Sequence, residues 1–174
     1  TTPIFTQLNV FTDKPVKQND VRIFGLINNK RVFKWISKEY LLPHINIDKY
    51  KLLVTAANGT GQLGEVLSTP LIMKPNTGFT FSFISFGSFS SEEDAKAALK
   101  YIKTKFLRTL LGVLKVTQHN LASTWTKIPL QNFSPKSDID WSKSIEEIDQ
   151  QLYKKYKLSQ EEIEFIESMI KPMK

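Results

Sequence analysis

Residues 79–117, FTFSFISFGSFSSEEDAKAALKYIKTKFLRTLLGVLKVT, change their hydrophobic period halfway along, and that change decides the fold class. In the first part Phe79, Phe81 and Phe83 alternate with Thr80, Ser82 and Ile84, so one face is aromatic and the other mainly polar. A period of two predicts a half-buried strand over 79–86. Ser90-Ser91-Glu92-Glu93 then has the form of a capping box and opens a helix. Behind it Ala95, Leu99, Ile102, Phe106, Leu110 and Val113 fall on one helical stripe. The spacing predicts a single helix reaching as far as Thr117, about 40 Å long at the α-helical rise. Leu107, Leu111 and Leu114 add a second apolar face, so its C-terminal half is expected to be buried on two sides.

Upstream, the apolar segments are short and rich in β-formers. Phe5–Val10 reads as a strand, followed by the polar loop Thr12–Asp20. Val21–Ile27 and Arg31–Ile36 flank Asn28-Asn29, and asparagine tolerates the positive φ of a tight turn, so a hairpin is expected. Ser37–Tyr50 contains Pro43 and has room for only a short helical turn. Lys51–Ala57 is a buried strand, Asn58–Gly64 a glycine-rich loop, and Pro70–Lys74 a further strand closed by the turn Pro75–Gly78.

Downstream, His119–Phe133 is irregular and Lys136–Ser144 is a polar linker. Ser144–Lys157 and Ser159–Ile170 are helical, the second opened by the box Ser159-Gln160-Glu161-Glu162 and stopped by Pro172. Strands and helices are segregated, which is an α+β pattern. The expected architecture is an antiparallel or mixed sheet with one long central helix and a C-terminal helical pair. Residues 1–133 would form one α+β domain and residues 134–174 a linker and helical tail.

The net charge of +7 is unevenly spread. Residues 1–89 carry ten Lys/Arg against five acids, residues 90–133 seven against three, and residues 134–174 seven against nine. A basic body with a slightly acidic tail favours a polyanionic partner, DNA or RNA first. With no Cys there is no disulfide, thiolate nucleophile or Cys-based zinc site, and an intracellular, cytoplasmic home fits. Apolar runs are too short to span a bilayer, so no membrane partner is expected, and no signal peptide is visible.

Catalytic patterns fail on context. Gly59-Thr60-Gly61-Gln62-Leu63-Gly64 matches the dinucleotide fingerprint, but only Glu65–Thr69 precedes Pro70, leaving no helix to hold a pyrophosphate, and no acid lies near position 84 for a ribose. The stretch reads better as a loop whose backbone approaches a ligand closely, or as an ordinary surface turn. Asp138-Ile139-Asp140 with Lys143 has the residue types of a metal-dependent nuclease, yet lies in a linker where Asp140 or Ser142 can simply cap the next helix. His44 and His119 have no partners at triad or zinc spacing, and the chain contains neither a P-loop nor an Asn/Asp-Pro-Pro-Tyr/Phe motif. The fragment is therefore expected to be non-catalytic and to hold no cofactor of its own.

The binding features are clearer. Lys96, Lys100, Lys103, Lys105, Arg108 and Lys115 lie along the predicted long helix, with Arg108 and Lys115 pointing almost the same way. Lys103, Lys105, Arg108 and Lys115 are the candidates for phosphate contact. Gln118, His119 and Asn120 follow, and Gln and Asn can pair bidentately with adenine. With Asn58, Gly59, Gly61 and Gln62 of the glycine-rich loop, they are the candidate contacts to bases or backbone. Trp125 is expected to be a packing residue.

The stretch YIKTKFLRTLLGVLKVTQHNLASTWTKIPLQNF (101–133) resembles a region downstream of the methyltransferase domain in restriction–modification proteins, among them adenine-specific methyltransferases and combined restriction–methylation enzymes. KLLVTAANGTGQLGEVLSTPLIM (51–73) and the tail DIDWSKSIEEIDQQLYKKYKLSQEEIEFIESMIKPM (138–173) resemble the same proteins. The resemblance implies target recognition on double-stranded DNA, with cutting or methylation done by a catalytic domain or subunit of the same system. S-adenosylmethionine and Mg are implied only for that parent enzyme. A protein–protein scaffold, using the acidic C-terminal helices, is the alternative; an independent metal-dependent nuclease is a third.

Overall fold

The computed structural model describes residues 4–57, 63, 67–115, 119 and 122–173. Asn28 and Asn29 sit at φ 49° and 61°, as a two-residue hairpin turn requires. They join β1 (Val21–Ile27) to β2 (Lys30–Ile36) in antiparallel register, with Phe24 opposite Phe33 and Ile27 opposite Lys30. β5 (Thr77–Phe79) pairs parallel on the other side of β1, giving a mixed sheet of order β2-β1-β5. β3 (Tyr50–Thr55) lies between β4 (Leu71–Met73) and β6 (Phe83–Phe89) in a second, fully antiparallel sheet.

Alternation along β3 makes this second sheet the middle layer. Leu53 meets Phe24, Met73 and Phe83 between the two sheets. Leu52 points the other way, into a core with Ala98, Tyr101, Ile102, Leu107 and Leu111 of the helices. The outer face of the first sheet carries a third cluster, Phe5, Val21, Ile23 and Ile36. The fold is thus α+β, with helices and two small sheets, and the predicted hairpin, β3, β4 and both C-terminal helices are present.

Four expectations are corrected. Phe5–Val10 is not a strand: Ile4–Gln7 is one helical turn, α1, whose Phe5 ring fills the space that Gly25 leaves by lacking a side chain. Residues 79–86 are not one strand either. Phe83 N–H donates to the Thr80 carbonyl in a turn, which sends β5 and β6 to different sheets and leaves Phe81 74% exposed. The cap of the first long helix is Ser91, not Ser90, and its side chain accepts from Asp94 N–H.

The single long helix is in fact two, α2 (Glu92–Lys103) and α3 (Lys105–Leu114), broken at Thr104. Thr104 is fully buried at φ −59° and ψ 148°, ending one helix and starting the next. Its hydroxyl donates to Tyr101 O at 2.6 Å and accepts from Leu107 N–H at 3.2 Å. Threonine is a favoured N-cap, and losing such a cap costs about 1–2 kcal/mol. Thr104→Ala should therefore lower the unfolding free energy by that amount, seen in urea as a lower midpoint with an unchanged slope; an unaltered midpoint would show that the cap carries no weight.

After the single turn α4 (Ala122–Trp125), α5 (Ile145–Tyr156) and α6 (Gln160–Met169) each begin with a complete capping box, from Ser144–Glu147 and Ser159–Glu162. They are not a separate tail. Ile148, Leu152, Tyr153, Ile166 and Ile170 belong to the same core as Leu52 and Leu107, so packing runs unbroken across the boundary expected at 133/134. Among the described residues, no helix is long and apolar enough to cross a membrane.

Candidate nucleic-acid interface

Strand directions bring several loops to one end of the sheets. β5 runs parallel to β1 with Phe79 level with Phe24, so the chain after Phe79 heads toward the hairpin turn. There Thr80 N–H donates to Phe24 O at 3.0 Å, and Ala56 N–H donates to Ser82 O at 2.9 Å. The end of β3 is thereby tied beside the Thr80–Ser82 turn. Ala57 in turn forms an antiparallel bridge with His119. The Thr55 and Ser68 hydroxyls bond at 2.9 Å and close the base of the glycine-rich stretch. Leu63, within that stretch, lies against Gly112 of α3, where an added Cβ would come within 2.5 Å of its Cδ1.

The surface at this end is basic and partly aromatic. Lys30 and Arg31 open β2 and are exposed. Arg31 shares its face of the hairpin with Phe33, which is 40% exposed, and the Arg22 guanidinium stacks 4.4 Å from the Phe33 centroid. Phe81 and His119 are exposed as well. Sequence reasoning passed over Lys30, Arg31, Phe33 and Phe81, although the Asn28-Asn29 turn already implied that the two cations after it would stand at a hairpin tip.

Of the residues singled out from sequence, Asn58, Gly59, Gly61, Gln62, Gln118 and Asn120 lie outside the described residues. The described flanks of the two segments, Ala57 and His119, are directly paired. The cations of the helix are a different matter, and three of them are corrections. Arg108 is only 4% exposed; its guanidinium donates to the Lys171 carbonyl, and burial lowers its pKa. Lys115 is 6% exposed and its pKa is likewise lowered by burial. Lys105 is held at 2.5 Å by Glu167 of α6. Arg108 and Lys115 are thus both buried, and Lys115 lies just past the end of α3 as its C-cap. Lys103 is half-buried in the last turn of α2.

The acids of the linker do not converge. Asp138 pairs with Lys155 at 2.7 Å, which lowers its pKa. Asp140 accepts from the Ser142 hydroxyl and N–H in a local turn, which lowers its pKa too; neither residue caps the next helix as expected, since Ser144 is its N-cap. Lys143 reaches toward Glu147 instead, at 3.9 Å. His44 is bonded locally, its Nδ1 lying 2.7 Å from Asn46 Oδ1. Trp125 packs on Phe86 with centroids 5.2 Å apart, as part of the main core. Comparison with family models, characterised proteins and solved structures finds no match to this chain.

Proposed function

We propose that the chain is a non-catalytic, DNA-contacting target-recognition module of a bacterial restriction–modification enzyme. The observation that carries the proposal is the Ala57–His119 bridge, which joins the two segments chosen from sequence as nucleic-acid contacts. Lys30 and Arg31 on the neighbouring hairpin supply charge for phosphates, in place of the buried Arg108 and Lys115 and of Lys105, which is paired with Glu167. The exposed Phe81 and the Arg22–Phe33 stack offer flat groups to sugar or base edges. The catalytic domain or subunit of the same system would supply the chemistry, and with it any need for S-adenosylmethionine or Mg.

The test is titration of a labelled mixed-sequence duplex by fluorescence anisotropy at low salt. A module that reads only part of the target should bind with a Kd of about 1–100 μM, the non-specific range. Absence of binding to any duplex, at protein concentrations well above that range, would remove the proposal.

A further inference from the structure

We infer that the cleft between α3 and α6 docks an amphipathic helix with basic flanks. The cleft has a volume of about 410 Å³ and an apolar floor of Phe106, Leu110, Leu158 and Ile166, with Phe165 along one side. Phe165 is 50% exposed. Val113 on α3 is 69% exposed and Met169 on α6 is 48% exposed, so the same two helices carry further apolar surface. Two ten-residue helices define a trough about 15 Å long, which is close to three turns of a third helix. Filling such a trough with side chains spaced at i, i+3/i+4 and i+7 is the usual helix-in-groove arrangement.

Charge selects among possible occupants. Glu161 and Glu162 stand on the cleft wall, and α6 carries Glu164 and Glu167 besides, with no Lys or Arg between Gln160 and Met169. Glu167 is engaged by Lys105 and Tyr153; Glu161, Glu162 and Glu164 are exposed, with Glu162 also capping at Ser159 and Glu164 accepting from Gln160. A nucleic acid would meet like charge here. So would a second copy of the chain docking through its own α6. A basic helix gains on both counts, by covering the apolar floor and by placing Lys or Arg against the glutamates. The cleft is built from α3 and α6, whereas the proposed DNA contact is built from the hairpin and the β3 end. The two surfaces are therefore independently testable.

The experiment uses the whole chain and a fluorescent Leu/Lys amphipathic peptide about four turns long. Controls are a scrambled peptide of the same composition and one with Glu in place of every Lys. The Leu/Lys helix should bind at least about tenfold tighter than either control, and Phe165→Ser should remove at least about tenfold of that affinity. Glu161→Lys with Glu164→Lys should weaken it several-fold, and Lys30→Ala with Arg31→Ala should leave it unchanged. Circular dichroism checks that each variant is folded. Equal binding of the scrambled peptide, or binding indifferent to Phe165→Ser, would overturn the inference as mere charge attraction. Sedimentation as a dimer that Phe165→Ser dissociates would overturn it in favour of a second copy.

Discussion

Asp149→Ala is expected to destabilise the protein by about 3–4 kcal/mol, because two N–H groups at the start of α3 are left without an acceptor. Asp149 projects from α5 and is 2% exposed. Its two carboxylate oxygens accept from Lys105 N–H and Phe106 N–H, each at 2.9 Å. Those are the first donors of α3, and together with the Thr104 hydroxyl they complete the cap at the break between α2 and α3. For a chain of this size the expected fall in Tm is about 8–12 °C. Asp149→Asn keeps one acceptor and should lose roughly half as much.

The same residue makes stability depend on pH. Burial raises the Asp149 pKa from 3.8 to about 6, against the lowering by its two backbone hydrogen bonds. The native state therefore holds this proton after the unfolded chain has released it. The stabilisation from that proton is complete below the unfolded pKa and is lost as pH rises through about 6. Between these limits the Asp149 contribution falls by up to about 3 kcal/mol. Asp138, Asp140 and Glu147 have lowered pKa values and act in the opposite sense, so the quantity to measure is wild type minus Asp149→Asn. That difference should decline from pH 4 to pH 6 in urea titrations; a rising difference would contradict the assignment.

The second large effect concerns binding. If the chain binds DNA as proposed, Lys30→Ala with Arg31→Ala should weaken duplex binding by about 10–100-fold at low salt, because two phosphate contacts and their released counterions would be lost. Arg108→Met should leave the affinity unchanged, since its guanidinium is spent on the Lys171 carbonyl inside the fold. The contrast separates surface charge from total charge, which composition cannot do.

How far the sequence revealed all this depended on whether the deciding contacts were local. The hairpin was legible because Asn28-Asn29 can adopt positive φ, and α5 and α6 because their capping serines and glutamates are three residues apart. The break at Thr104 was not, because the apolar stripe from Ala95 to Val113 runs through it without a Gly or Pro. Thr104 is the local cap there, but the carboxylate that completes it comes from α5, which no local window contains. The burial of Arg108 and Lys115 was not legible either. Their seven-residue spacing announced a shared face, but not which medium that face would meet. Alternation likewise marked Phe79, Phe81 and Phe83 as partners, whereas the Thr80–Phe83 turn divides them between sheets. The pairing of Ala57 with His119, far apart in sequence, is one that only the folded chain displays.

The most direct measurement is the salt dependence of duplex affinity for the wild-type chain beside its Lys30→Ala, Arg31→Ala variant. A basic end surface predicts that log K falls linearly with log salt, and that the variant's slope is shallower by about two. A flat wild-type response, or identical slopes for the two proteins, would show that this end of the sheets does not face DNA.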